Sequence, residues 1–76
     1  MQRYFFDLME QASVRYDYQG REFMHSDEAR KQAELIALDF GCTRRDDPNG
    51  GEIQVRNIGG QHLFSVPIPQ LERIAA

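Results

Sequence analysis

The sequence holds one cysteine, two histidines and no tryptophan in 76 residues. The single Cys42 permits no internal disulfide and no cysteine-rich zinc site. There is no repeat, no low-complexity stretch and no block of like charge. No apolar run approaches the ~18 residues of a membrane span. Asp7 and Glu10 interrupt the stretch Met1–Glu10, which therefore does not read as a signal peptide. Neither sign of charge dominates: nine Lys+Arg against twelve Asp+Glu give a net charge of −3. With a pI near 5.2, nothing electrostatic draws this chain to nucleic acid or an anionic membrane.

What is present points to a folded domain. Hydrophobic residues make up 41% of the chain, five Phe and three Tyr among them, too many for a disordered acidic tail. The length implies one domain over residues 1–76, burying about 60–65% of the surface that the unfolded chain exposes. Ordering it costs about 110 kcal/mol, which apolar burial must offset without a disulfide or an evident metal. The usual remaining sources of stability are tight packing or a partner surface, and a homo-oligomer is the expectation drawn from the second. The lone Cys42 fits a reducing compartment, and the cytoplasm is the expected location.

Arg3 to Leu8 alternates, with Tyr4, Phe6 and Leu8 on one side. Ser13 to Tyr18 alternates too, with Val14, Tyr16 and Tyr18 on one side. Period two with aromatic and β-branched residues predicts two strands. A loop around Met9–Ala12 would set Leu8 opposite Val14, Phe6 opposite Tyr16 and Tyr4 opposite Tyr18. Gln19-Gly20 turns the chain into a helix that Ser26 caps, with Asp27 and Glu28 in its first turn. Ala29, Ala33, Ile36, Ala37 and Phe40 make one apolar stripe, and Gly41 is expected to end the helix as a left-handed residue.

Cys42 to Gly51 reads as an exposed loop. A two-residue turn at Gly59-Gly60 makes the numbers of facing residues sum to 119. Val55 then faces Phe64 and Ile53 faces Val66, on one apolar face, while His62 faces Asn57. Pro67 and Pro69 end that strand, leaving residues 69–76 as a frayed or short helical tail. The fold class is α+β, in the order strand-strand-helix-strand-strand. One helix packs on a four-stranded antiparallel sheet.

Arg3-Tyr4-Phe5-Phe6-Asp7-Leu8, the Gly20-x-Glu22-Phe23 step, the Asp27-Glu28-Ala29-Arg30 helix start and Val55-Arg56 before a glycine turn resemble one family throughout. It comprises short bacterial proteins grouped as domain of unknown function 6894. Glu10-Gln11-Ala12 replaces its tighter first turn, and Asn57-Ile58 its more usual acidic pair. The resemblance implies no activity. The arrangement is also loosely similar to HicB-type antitoxins, at the level of fold alone.

Each candidate chemistry meets a plainer account. Cys42 follows a helix C-terminus, where the dipole raises a thiol pKa rather than activating it. His25 and His62 lack metal-ligand spacing, so no metal and no cofactor is expected. Asp27-Glu28 belongs to a helix start and Asp46-Asp47 to a loop, leaving no spaced carboxylate pair for acid–base catalysis. Gly50-Gly51 and Gly59-Gly60 precede strands, whereas phosphate loops feed helices. Tyr4, Phe5, Phe6, Tyr16 and Tyr18 could stack bases, but the glycines of an RNA-recognition strand are missing and Arg44-Arg45 runs straight into Asp46-Asp47. Core packing explains most of them.

Leu35 and Leu38 fall off the helix stripe, and Phe5, Ile58 and Leu63 fall on the face opposite Phe6, Val55 and Phe64. These five are the expected interaction surface. The sequence therefore predicts a non-enzymatic protein acting by contact with itself or another protein, through apolar burial or strand-edge pairing. Two rival readings are an antitoxin-like or nucleic-acid-linked regulator, and a small-ligand or metal binder using His25, Cys42 and His62.

Overall fold

The computed structural model describes residues 1–11, 13–43 and 51–69. The elements are β1 (Gln2–Glu10), β2 (Val14–Arg15), β3 (Arg21–Phe23), α1 (Ser26–Thr43), β4 (Gly51–Asn57) and β5 (His62–Pro67). One helix packs on a five-stranded, wholly antiparallel sheet, confirming the α+β class. The strand order is β2-β1-β4-β5, and β3 also pairs with β1. The expected turns within 44–50 and the expected tail beyond Pro69 lie outside the described residues, as does Ala12 in the first hairpin loop.

The alternation in β1 and β4 builds the core as two rows across three strands. Leu8, Ile53 and Val66 form one row; Phe6, Val55 and Phe64 form the other. Ile53 and Val55 are the largest side chains buried completely. Phe23 closes one end, its ring 6.2 Å from those of Tyr4 and Phe6. Over these rows lies the alanine face of α1. Ala29, Ala33 and Ala37 are all buried, with Ile36 and Phe40 packed beside them. Side chains this small at i, i+4 and i+8 let the helix lie close on the sheet.

The helix begins at Ser26 as expected, with Asp27 and Glu28 in its first turn, but its cap and its far end differ from expectation. At the start, the Glu28 carboxylate accepts from the His25 N–H at 3.2 Å, and the Glu28 N–H donates to the His25 carbonyl at 3.1 Å. This is the reciprocal half of a capping box, contributed by Glu28 rather than the Ser26 hydroxyl. At the other end Gly41 does not stop α1, which runs on to Thr43. A Cβ on Gly41 would stand 2.7 Å from the Pro69 carbonyl oxygen. The glycine serves close approach, not termination.

The first hairpin is corrected more deeply. Leu8 pairs with Arg15 and Met9 with Val14, one residue away from the expected register. Strand structure then stops, and the chain returns to β1 as β3, with Tyr4 opposite Arg21. Three residues of β1 (5–7) face five on the other side (16–20). Val14, Tyr16 and Tyr18, expected in the core, are exposed.

In the second hairpin the core pairs Val55–Phe64 and Ile53–Val66 are as expected, but the turn is not. The Gly60 N–H donates to the Asn57 carbonyl and the Asn57 N–H to the Gln61 carbonyl. With Gly60 at φ +86°, this is a three-residue loop, Ile58 to Gly60, with a left-handed last residue. His62 consequently faces Arg56, not Asn57. Leu63 is the extra residue of a bulge that restores the core register.

Candidate functional site

The gap in strand pairing at 16–20 is filled by side chains. Asp17 Oδ2 accepts from the Phe6 N–H at 3.1 Å, standing in for a carbonyl that a continuous strand would offer. Asp17 Oδ1 accepts from the N–H groups of Gln19 and Gly20 at 3.0 and 3.1 Å. Gly20, at φ +71°, holds the turn where a Cβ would meet the Tyr4 carbonyl at 2.8 Å. A left-handed residue pressed against a strand has to be glycine.

Asp7, buried on the sheet face away from α1, holds the segment from beneath. Its Oδ1 accepts from the Asp17 N–H at 2.9 Å, and its Oδ2 from Arg56 Nε at 2.8 Å. Arg56 also donates to the Asp17 carbonyl at 2.9 Å and lies 4.6 Å over the Phe5 ring. Burial by itself pushes the Asp17 carboxyl up. The N–H donors of Gly20, Phe6 and Gln19, with the Arg56 guanidinium, outweigh it and hold the group below its ordinary value. Every oxygen of both carboxylates thus accepts a hydrogen bond from the chain itself. The cluster is a clasp.

The sequence reading did not single out Asp7, Asp17 or Arg56 as a group. Asp7 and Arg56 lie 49 positions apart. Only the alternation that sets Asp7 among outward residues, and an aspartate shortly before Gln19-Gly20, offered any sign of them.

Beside the clasp, Met1, Gln2, Arg3, Glu22, Asn57 and Ile58 line an open groove of about 510 Å³. Arg3 crosses it, donating to the Gln19 carbonyl at 2.6 Å and pairing with Glu22 at 2.8 Å.

The five residues expected to form one surface are split between places. Leu35 and Leu38, 62% and 47% exposed, sit together on the solvent side of α1. Phe5 is half-buried beneath Arg56 on the opposite face of the sheet. Ile58, 77% exposed, is at the β4–β5 turn, and Leu63 is in the β5 bulge. His25 and Cys42 are separated by nearly the whole helix, about 25 Å at 1.5 Å per residue. His62 Nε2 lies 2.9 Å from Ser65 Oγ. Among the described residues no three His, Cys, Asp or Glu are grouped to hold a metal. Nor is any described helix long and apolar enough to cross a membrane.

A family model described as a domain of unknown function, DUF6894, matches residues 3–69. The chain belongs to that family. No curated protein and no solved structure matches it, and the likeness to HicB-type antitoxins has no counterpart in these comparisons. The DUF6894 match covers the sheet, the helix and all of the clasp.

Proposed function

We propose that this DUF6894 protein is non-enzymatic and works through protein–protein contact, first with a second copy of itself, by the solvent face of α1. The observation that carries the reading is the pair Leu35 and Leu38, one turn apart and both exposed to solvent. Single exposed leucines are ordinary; two adjacent ones in a domain this small are less so. The core lends support from the other side. The only hydrophobic side chains that its helix buries fully are alanines, so little apolar area is hidden per residue and a second protomer would add to it. The non-enzymatic part is supported by the clasp, whose carboxylates and guanidinium are engaged with the chain's own groups.

The edges of the sheet favour face contact over strand pairing. Sedimentation equilibrium over a wide concentration range tests the reading. The native chain is expected to approach twice the monomer mass, and Leu35→Glu/Leu38→Glu to remain monomeric with an unchanged circular dichroism spectrum. A native chain monomeric throughout would overturn it.

A further inference from the structure

We infer that the second copy meets α1 antiparallel, about a two-fold axis between Leu35 and Leu38, with Lys31 of each chain across from Cys42 of the other. This rests on the reading of that face as a self-contact surface, and it fixes the partner's orientation and register.

Five exposed residues of α1, Glu28, Lys31, Leu35, Leu38 and Cys42, follow one another at alternate steps of three and four. That spacing draws a single line down a helix, here on the side away from the buried Ala29, Ala33 and Ala37. Glu28 and Lys31 occupy one end of the line, the two leucines its centre and Cys42 the other end. Glu34 flanks the line on one side and Asp39 on the other, both exposed.

A two-fold contact uses one patch twice, so the leucines can meet with the helices parallel or antiparallel. In a parallel pair every residue of the line lies level with its own image. Lys31 would stand against Lys31 and Glu28 against Glu28, and each flanking Glu34 would lie beside the partner's Asp39. Like charges along both flanks and the seam oppose that arrangement. In an antiparallel pair Leu35 packs on the partner's Leu38 and Leu38 on the partner's Leu35. The same apolar contact forms and the charges separate. Each Lys31 then stands about 16 Å along the axis from its image, and each Glu28 about 25 Å, both beyond the ~8 Å screening length of physiological salt. Asp39 comes beside the partner's uncharged Gln32. Across from Lys31 is the small Cys42, so the lysine stem has room along the seam while its ammonium stays in water.

The chain carries one lysine and one cysteine, so a single chemical bond reads the register. A short reagent joining amine to thiol cannot bridge the about 16 Å between Lys31 and Cys42 within one helix, but it joins them between antiparallel copies. Treated with it, the native chain is expected to give a covalent dimer on a denaturing gel, with Lys31 bonded to Cys42 in the fragment masses. Leu35→Glu/Leu38→Glu should lose that dimer. Lys31→Arg, which keeps the charge, should lose the bond and still sediment as a dimer. Mild oxidation should yield no disulfide between copies, because the two thiols are held about 16 Å apart along the axis. A dimer that needs the leucines, yet forms the disulfide or lacks the Lys31–Cys42 bond, would overturn the antiparallel pairing and leave the contact face standing. A native chain monomeric throughout, or a dimer indifferent to both leucines, would bring down the face and the pairing together.

Discussion

Asp17 replaces backbone with side chain. One carboxylate accepts three N–H groups, that of Phe6 in place of a strand carbonyl and those of Gln19 and Gly20 within its own turn, and Asp7 with Arg56 fixes where it sits. Asp17→Asn keeps the size but turns one oxygen into a donor facing N–H groups. It is expected to destabilise the fold by about 1–3 kcal/mol at neutral pH, measured by urea unfolding. The sign with pH follows from the depressed folded-state pKa. Between the folded value and the unfolded value of ~3.9, the unfolded chain binds more protons, so stability falls as pH falls. The contribution of Asp17 is whole above the unfolded pKa and is lost as pH drops through the folded one. The difference between native and Asp17→Asn curves should therefore shrink in acid; a constant gap would contradict the assignment.

Asp7→Ala strands a guanidinium and the Asp17 N–H together. Because Arg56 keeps 26% of its side chain in water, the expected loss is about 2–4 kcal/mol, below the top of the buried-pair range. In a double-mutant cycle with Arg56→Ala the two losses should be far from additive.

At the scale of elements, α1 depends on alanines. Ala33, fully buried at the middle of the interface, has no volume to spare. Ala33→Leu is expected to lower stability by about 1–3 kcal/mol through overpacking, seen as a lower melting temperature with the helix signal retained. Gly41→Ala should be destabilising as well, although alanine is the better helix former, because the new methyl meets the Pro69 carbonyl.

These cases also mark what the sequence could reveal. The stripe from Ala29 to Phe40 is periodic, and periodicity is a local property, so the helix and its buried face were legible. The pairs Val55–Phe64 and Ile53–Val66 were legible because a slip would put apolar residues on the wrong face. The turn was not, since a three-residue loop plus a bulge at Leu63 yields the same core pairs as a two-residue loop. Tyr16 and Tyr18 alternate like strand residues, yet Asp17 between them takes the ladder's hydrogen bonds for itself. Nothing local distinguishes that from a strand. Its partners arrive from β1 and β4, and the clasp becomes visible only when they meet. Leu35 and Leu38 were legible as leftovers of the helix stripe, whereas their separation from Phe5 followed from which face of the sheet α1 covers.

At the scale of the molecule, the DUF6894 chain is a two-layer domain with its helix on one side and a mainly polar sheet face on the other. That face shows Glu52, Gln54, Arg56 and Ser65 in register with one another or with β1. The exposed Leu35 and Leu38 lie on the helix side instead. Leu35→Glu/Leu38→Glu should leave the unfolding midpoint of the dilute monomer within about 0.5 kcal/mol of native, as exposed substitutions do, while removing association.

The two margins of the sheet have a consequence for how far any assembly can go. On one side the row of backbone groups is broken between β2 and β3 by the 16–20 excursion. On the other, β5 carries the kink at Leu63 and ends in Pro67, which has no N–H to give. A fibril grows by handing an unbroken ladder from one chain to the next, and among the described residues neither margin offers one. Among the described residues, then, the ribbon has no end onto which the strand of another chain can be stitched, however crowded the solution.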